Sequence, residues 1–231
     1  MNNIKFDKTV KPIGYVQSDF KEKFGIPRQS GRAPSAISKI IFYPEYSAQS
    51  AFSGIEGFNY LWILFDFSKV ENDNWSLSVR PPRLGGNKKV GVFASRSPFR
   101  PNHIGLSSVR LLRVENTREN GCVLVVSGGD LLDGTPIYDV KPYLPFTDCH
   151  PDATGGYADA QKDYKLEVIF PEKLQENFNA EQLNALIESL SDDPRPSYQD
   201  DGKEYGMLYG NYNVKFKVKE KTLTVISVDK K

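Results

Sequence analysis

Ser108-Val109-Arg110-Leu111-Leu112-Arg113-Val114, Cys122-Val123-Leu124-Val125-Val126-Ser127 and Ile137-Tyr138-Asp139-Val140-Lys141 follow one another, separated by stretches rich in Gly, Asn, Asp and Pro. Each run is dense in Val, Ile, Leu or Tyr and ends on turn formers, which is the signature of a short strand. The same grammar continues upstream in Ile40 to Tyr43, Tyr60 to Phe67 and Val90 to Ala94. No helix-length apolar period lies between these runs, apart from a short helical stretch near Ala48 to Phe52. That argues against repeated strand–helix–strand units and a parallel sheet. Closure into an antiparallel barrel is the better expectation, because it removes exposed strand edges.

The tail of the chain reads differently. Phe178 to Leu190 is a helix, with Asn179 as its N-cap and Leu183, Leu186, Ile187 and Leu190 on one face. Asp193-Pro194-Arg195-Pro196 ends it, since proline cannot continue the hydrogen-bond ladder. Val214 to Val218 and Leu223 to Val228 alternate and pair as a hairpin. The turn-rich Pro151 to Gly156 marks the boundary. The expected fold is mainly β, with a small antiparallel β-barrel domain over residues 1–150 and a smaller α+β domain over residues 151–231.

The 231 residues are 39% hydrophobic and 26% charged, which fits a globular protein with a sizeable core. A net charge of +1 argues against nucleic-acid binding by bulk charge. Two cysteines and two histidines are too few for a convincing zinc site, so no metal is expected. Cys122 reads as core, and Cys149-His150 as bystanders rather than a nucleophile and base. Without a disulfide framework or a membrane-length apolar run, a cytoplasmic protein is expected.

The charge is local. From Arg80 to Arg113 the chain has Arg80, Arg83, Lys88, Lys89, Arg96, Arg100, Arg110 and Arg113 and no acid. Four segments concentrate Pro, Gly and polar residues: 25–31, 80–87, 88–107 and 129–136. Loops on a rigid barrel are the usual place for binding groups. Arg28, Arg96 and Arg100 offer planar forks for carboxylate or phosphate, and Asp133 and Asp139 offer acceptors. The plainer alternative is that Asp133-Gly134 is a hairpin turn and the arginines cap carboxylates. No glycine-rich dinucleotide loop or Walker spacing is present.

Gly25-Ile26-Pro27-Arg28-Gln29, Arg80 to Lys89, Gly91 to Ser107 and Asp133-Gly134-Thr135-Pro136 closely resemble the TrmO (YaeB or TsaA-like) family, and Asp193 to Tyr198 resembles its bacterial branch. The resemblance spans nearly the whole chain. It implies a β-barrel, non-Rossmann methyltransferase that uses S-adenosylmethionine and acts as a homodimer. The implied reaction methylates N6 of threonylcarbamoyladenosine 37, beside the anticodon of threonine tRNA. Residue by residue, the cofactor contacts fall on Pro27, Arg28 and Gln29, on Ser68 and Lys69, on Arg96 and Leu106, and on Asp133, Gly134, Thr135 and Pro136. The chain departs from the family at Ser68 and Tyr60, where relatives often have His, and at His103, where proline is common.

Asp139 and Tyr143 are the candidate catalytic residues, the first as proton acceptor and the second to stack on or bond the base. Arg83, Lys88, Lys89 and Arg100 would meet phosphates. Tyr198 and Arg195 are further RNA candidates, though Arg195 equally fits an ion pair with Asp192 or Asp193 at the helix stop. Two other readings stay open: a non-catalytic RNA-binding barrel, and a different S-adenosylmethionine enzyme with a small-molecule substrate.

Overall fold

A computed structural model describes residues 8–70, 75–81, 88–195 and 202–231. In chain order the strands are β1 (Gly14–Ser18), β2 (Ile37–Phe42), β3 (Tyr60–Asp66), β4 (Ser78–Val79), β5 (Val90–Gly91), β6 (Ile104–Thr117), β7 (Gly121–Ser127), β8 (Pro136–Pro142), β9 (Glu167–Ile169), β10 (Glu204–Tyr209), β11 (Tyr212–Lys219) and β12 (Thr222–Lys230). The α-helices are α1 (Pro145–Asp148), α2 (Glu172–Gln175) and α3 (Ala180–Ser191).

Six strands close into an antiparallel barrel in the order β1-β2-β7-β6-β3-β8, with β8 returning to β1. Its interior follows from alternation: Leu61, Ile63 and Phe65 of β3 point inward, and meet Val16, Ile40, Leu124, Val126 and Ile137 in one core. Gly105 stands opposite Phe65, and a Cβ there would fall 2.2 Å from the Phe65 ring. A glycine at that point is what lets the ring lie inside the barrel. The expected strand over Val90 to Ala94 is shorter than its composition suggested. It ends at Gly91, and Val92–Ala94 turns as a 3-10 helix that buries Val92. The stretch at Ala48 to Phe52 is likewise a 3-10 turn, Gln49–Phe52.

The tail forms a four-stranded sheet, β10-β11-β12-β9, in which β9 runs parallel to β12. Helix α3 starts with a capping box. The Asn179 side chain accepts the Gln182 N–H at 2.8 Å, and the Gln182 side chain reaches back to the Asn179 N–H. Leu186 and Leu190 face the sheet in a second core with Met207, Phe216 and Leu223. Phe20, Ala33 and Ala36, which lie between β1 and β2, also belong to this second core. A bridge between Phe20 and Tyr209 joins the two parts. The segment between β1 and β2 is therefore shared: its ends continue barrel strands, while its middle packs on the tail.

Candidate functional site

The loop at residues 27–31 is fixed from both sides. Gly25, at φ 92, sits against Met207 of the tail. The Gly31 N–H donates to the Gly128 carbonyl at 2.8 Å, just past the end of β7. Between these anchors, the Gln29 side-chain carbonyl accepts a 2.7 Å hydrogen bond from Arg96 Nη1. Arg96 follows the Val92–Ala94 turn and is exposed. Arg100 holds that turn by donating to the carbonyls of Val92 (3.3 Å) and Ser95 (2.6 Å), and it lies 5.9 Å over the Phe93 ring. Its expected part in phosphate contact is thus shared with a structural one.

One residue of this cluster escaped the sequence reading. Asp130 accepts the Ser107 hydroxyl at 2.5 Å. Burial pushes its carboxyl above the usual carboxylate range, against the pull of Ser107, the Arg96 charge and the Ser30 backbone. The signal was an acid directly after an apolar strand and two glycines, Gly128-Gly129. Ser107 points inward on β6, so its neighbour Leu106 points outward and is 52% exposed. Hydrogen bonds thus join Arg96 to Gln29 and Ser107 to Asp130, and the Arg96 charge acts on the second pair.

The Asp133-Gly134-Thr135-Pro136 turn closes onto β1. Asp133 accepts the Ser18 N–H at 2.9 Å and pairs with Lys21 at 2.9 Å. Gly134 donates to the Val16 carbonyl, and Thr135 accepts the Val16 N–H. Gly134 has φ 76, and no atom lies within 4 Å of where its Cβ would be, so the turn's outer side is open.

Arg28 faces the tail. Its guanidinium donates to the carbonyls of Asp193 (3.2 Å), Pro194 (3.3 Å) and Arg195 (2.6 Å). The structure decides between the two readings of Arg195: it is turned inward, and its Nε and Nη2 bind the two oxygens of Asp193 at 2.9 and 3.1 Å. Only 9% of its surface is exposed. Asp193, at φ 52, reverses the chain after α3 so that this pair can form locally. The expected RNA contact at Arg195 is replaced by an internal ion pair, because a buried guanidinium needs a carboxylate.

Ser68 and Lys69 are exposed in the turn after β3. The Lys69 carbonyl accepts from Lys23 Nζ. Among the described residues no hydrogen bond joins this pair to Arg96 or Gln29. The neighbouring His103 has φ 46, a value that a proline ring cannot take, so this loop differs from a relative with proline there.

Cross-strand register places the remaining candidates. Leu106, Leu64 and Asp139 are direct neighbours across β6, β3 and β8, and all three lie on the barrel's outer face. Asp139 accepts the Val140 N–H at 2.9 Å and pairs with Lys141 at 2.7 Å. Tyr143 follows β8 and packs against Trp62 and Tyr60, at 5.4 and 6.2 Å between ring centroids. Its hydroxyl is held above its usual range by the surrounding rings first, then by Cys149 and Asp148. Lys88 and Lys89 are exposed beside β5. Arg83 and Tyr198 lie outside the described residues. Among the described residues no three His, Cys, Asp or Glu gather as a metal site, and no helix is long and apolar enough to cross a membrane.

Comparison with known proteins agrees with this architecture. The tRNA-methyltransferase O N-terminal domain matches residues 15–149, and the TrmO C-terminal domain matches residues 163–231. The chain is 38% identical to the tRNA (adenine(37)-N6)-methyltransferase of Escherichia coli, over 99% of both chains. It is 41% identical to an S-adenosyl-L-methionine-binding protein of Archaeoglobus fulgidus, over 61% of this chain and 92% of that one. A crystal structure of TrmO from Pseudomonas aeruginosa superposes with a TM-score of 0.77 at 32% identity, covering 96% of this chain and 99% of that one. With both family domains present in order on the same closed barrel and tail, this chain belongs to the TrmO family.

Proposed function

We infer that this chain is a tRNA (adenine37-N6)-methyltransferase that uses S-adenosylmethionine, and that its substrate is the threonylcarbamoyl-modified adenosine in the anticodon loop of threonine tRNA. The observation that carries the reading is the exposed Arg96 fork, fixed by its hydrogen bond to Gln29 of the 27–31 loop and left, among the described residues, without a carboxylate bound to it. The donor set fits the cofactor. An exposed arginine fork suits a carboxylate, an outward leucine suits an apolar body, and the open turn at Gly134 brings backbone groups within reach. Pro27, Gln29, Arg96, Leu106 and the 133–136 turn would hold it directly. Arg28 acts from behind by tying the loop to the tail, and Ser68 and Lys69 are proposed as further contacts.

Bound S-adenosylmethionine supplies a methyl group on a positively charged sulfur. The chain's own task is to place the acceptor nitrogen about 3 Å from that carbon and in line with it. That nitrogen belongs to a urea, so its lone pair is delocalised and removing its proton helps the attack. Asp139 shares the outer face with Leu106, two strands away, and is proposed as the proton's acceptor. Tyr143 is proposed to pack on the base, with Lys88, Lys89, Arg83 and Arg100 on phosphates and Tyr198 as a further RNA-binding residue. A second copy of the chain is proposed to pair with the first as a homodimer. A cytoplasmic setting follows from a tRNA substrate.

Incubating the protein with labelled S-adenosylmethionine and total tRNA, with or without the threonylcarbamoyl group, tests the reading. Label should enter only the modified tRNA. Binding of RNA without transfer would favour a non-catalytic barrel, and donor turnover without labelled tRNA would favour a small-molecule methyltransferase.

A further inference from the structure

S-Adenosylmethionine has two positive centres, an ammonium and a sulfonium, and one carboxylate. The side chains assigned to it by motif are unbalanced against that pattern. Lys69 and Arg96 are cationic, while Arg28 is turned to the tail carbonyls. The single acid among them, Asp133, is already engaged by Lys21 at 2.9 Å and by the Ser18 N–H at 2.9 Å. A cation seated beside basic groups without an opposing carboxylate is repelled, and more strongly as water is excluded.

Asp130 has the missing charge in the right place. It accepts the Ser107 hydroxyl at 2.5 Å and stands two residues after Gly128, whose carbonyl holds Gly31 of the loop that carries Gln29, the hydrogen-bond partner of Arg96. The Arg96 charge acts on it, and the Ser107 hydroxyl and the Ser30 backbone bond to it. We propose that Asp130 is the counter-charge of the donor site: its carboxylate takes a cationic centre of the methyl donor, while Arg96 takes the donor's carboxylate. Two opposite charges that do not close on each other then receive an amphoteric ligand with each end matched. This rests on the donor-site reading above.

The sign of the proton linkage follows. The free carboxyl is held above its ordinary range by burial. A bound cation favours its ionised form, so the complex holds fewer protons than the free protein. Binding therefore releases a proton, and affinity falls as the pH drops through the raised pKa.

Calorimetry on the full chain, in buffers of different ionisation enthalpy and between about pH 8 and pH 5, reads this directly. Wild type should bind S-adenosylmethionine with proton release and lose affinity in acid. Asp130→Asn should bind at least about 30-fold more weakly, as expected when one partner of a buried charge pair is removed, with a flat pH profile. S-Adenosylhomocysteine, which lacks the sulfonium charge, distinguishes the two centres: equal weakening identifies the ammonium, and a spared affinity identifies the sulfonium. Ser107→Ala keeps the carboxylate and removes its hydroxyl donor, so affinity should be lost at higher pH than in wild type. That shift decides the matter if Asp130→Asn does not fold. Unchanged donor affinity in a folded Asp130→Asn overturns the proposal, as does proton uptake on binding, the sign expected if Asp130 only positions Arg96. If wild type itself binds no donor at any pH, the donor-site reading fails first.

Discussion

Arg96 and Arg195 stand in similar sequence surroundings, each flanked by serine or proline in a loop after a regular element, yet they end in opposite environments. Arg195 is buried with both ends of its fork on Asp193. Arg96 is exposed, and its hydrogen bond goes to the neutral Gln29 side chain. The difference lies in the acids nearby. Two aspartates precede Arg195 within three residues, and the left-handed turn at Asp193 folds one of them back. No acid occurs between Arg80 and Arg113, so nothing local consumes the Arg96 charge. A guanidinium whose fork closes on a carboxylate becomes a strut; one whose fork meets only a neutral amide remains available to a ligand.

The comparison breaks most sharply at Arg96. Arg96→Ala should weaken S-adenosylmethionine binding at least about 100-fold by calorimetry while leaving thermal unfolding nearly unchanged, because an exposed charged hydrogen bond contributes to the ligand rather than to the fold. Asp193→Ala should do the reverse. It takes the carboxylate from a buried arginine and should cost about 3 kcal/mol in urea unfolding, with a smaller loss of donor affinity passed on through Arg28. If Asp193→Ala leaves stability intact, the strut assignment is wrong. Gly25→Ala tests the hinge between the two regions. Its φ of 92 strains any side chain, and a Cβ would fall 2.4 Å from Met207 Cε, for a cost of about 2 kcal/mol. Asn179→Ala is the mildest change. Loss of the α3 cap should cost about 1 kcal/mol without altering donor binding.

The barrel was legible because closure and alternation leave a pattern. Leu61, Ile63 and Phe65 alternate with half-buried partners, and Cys122 to Val126 is apolar throughout because β7 is covered on both sides. β1 was not legible: Gly14-Tyr15-Val16-Gln17-Ser18 is short, polar at alternate positions, and bears a glycine whose Cβ would meet the Ile41 carbonyl. β9 escaped for the same reason, being three residues long and paired in parallel to a distant strand. At the site, the glycine and proline loops announced themselves, but Asp130 did not. Its role depends on Ser107, 23 residues away in sequence, and such a pairing has no local signature. Arg28 and Arg195 look alike on paper, and only the fold shows that the first holds the backbone around the second.

That last contact sets a schedule. The carbonyls that receive the Arg28 guanidinium lie 165 to 167 residues further along the chain. At ribosomal speeds of about 5–20 residues per second, they emerge on the order of ten to thirty seconds after Arg28 itself. By then every barrel strand has been made. The loop bearing Pro27, Arg28 and Gln29 is thus the last part of the pocket to be secured during synthesis, and a nascent chain halted before residue 193 carries a finished barrel with an unfastened grip.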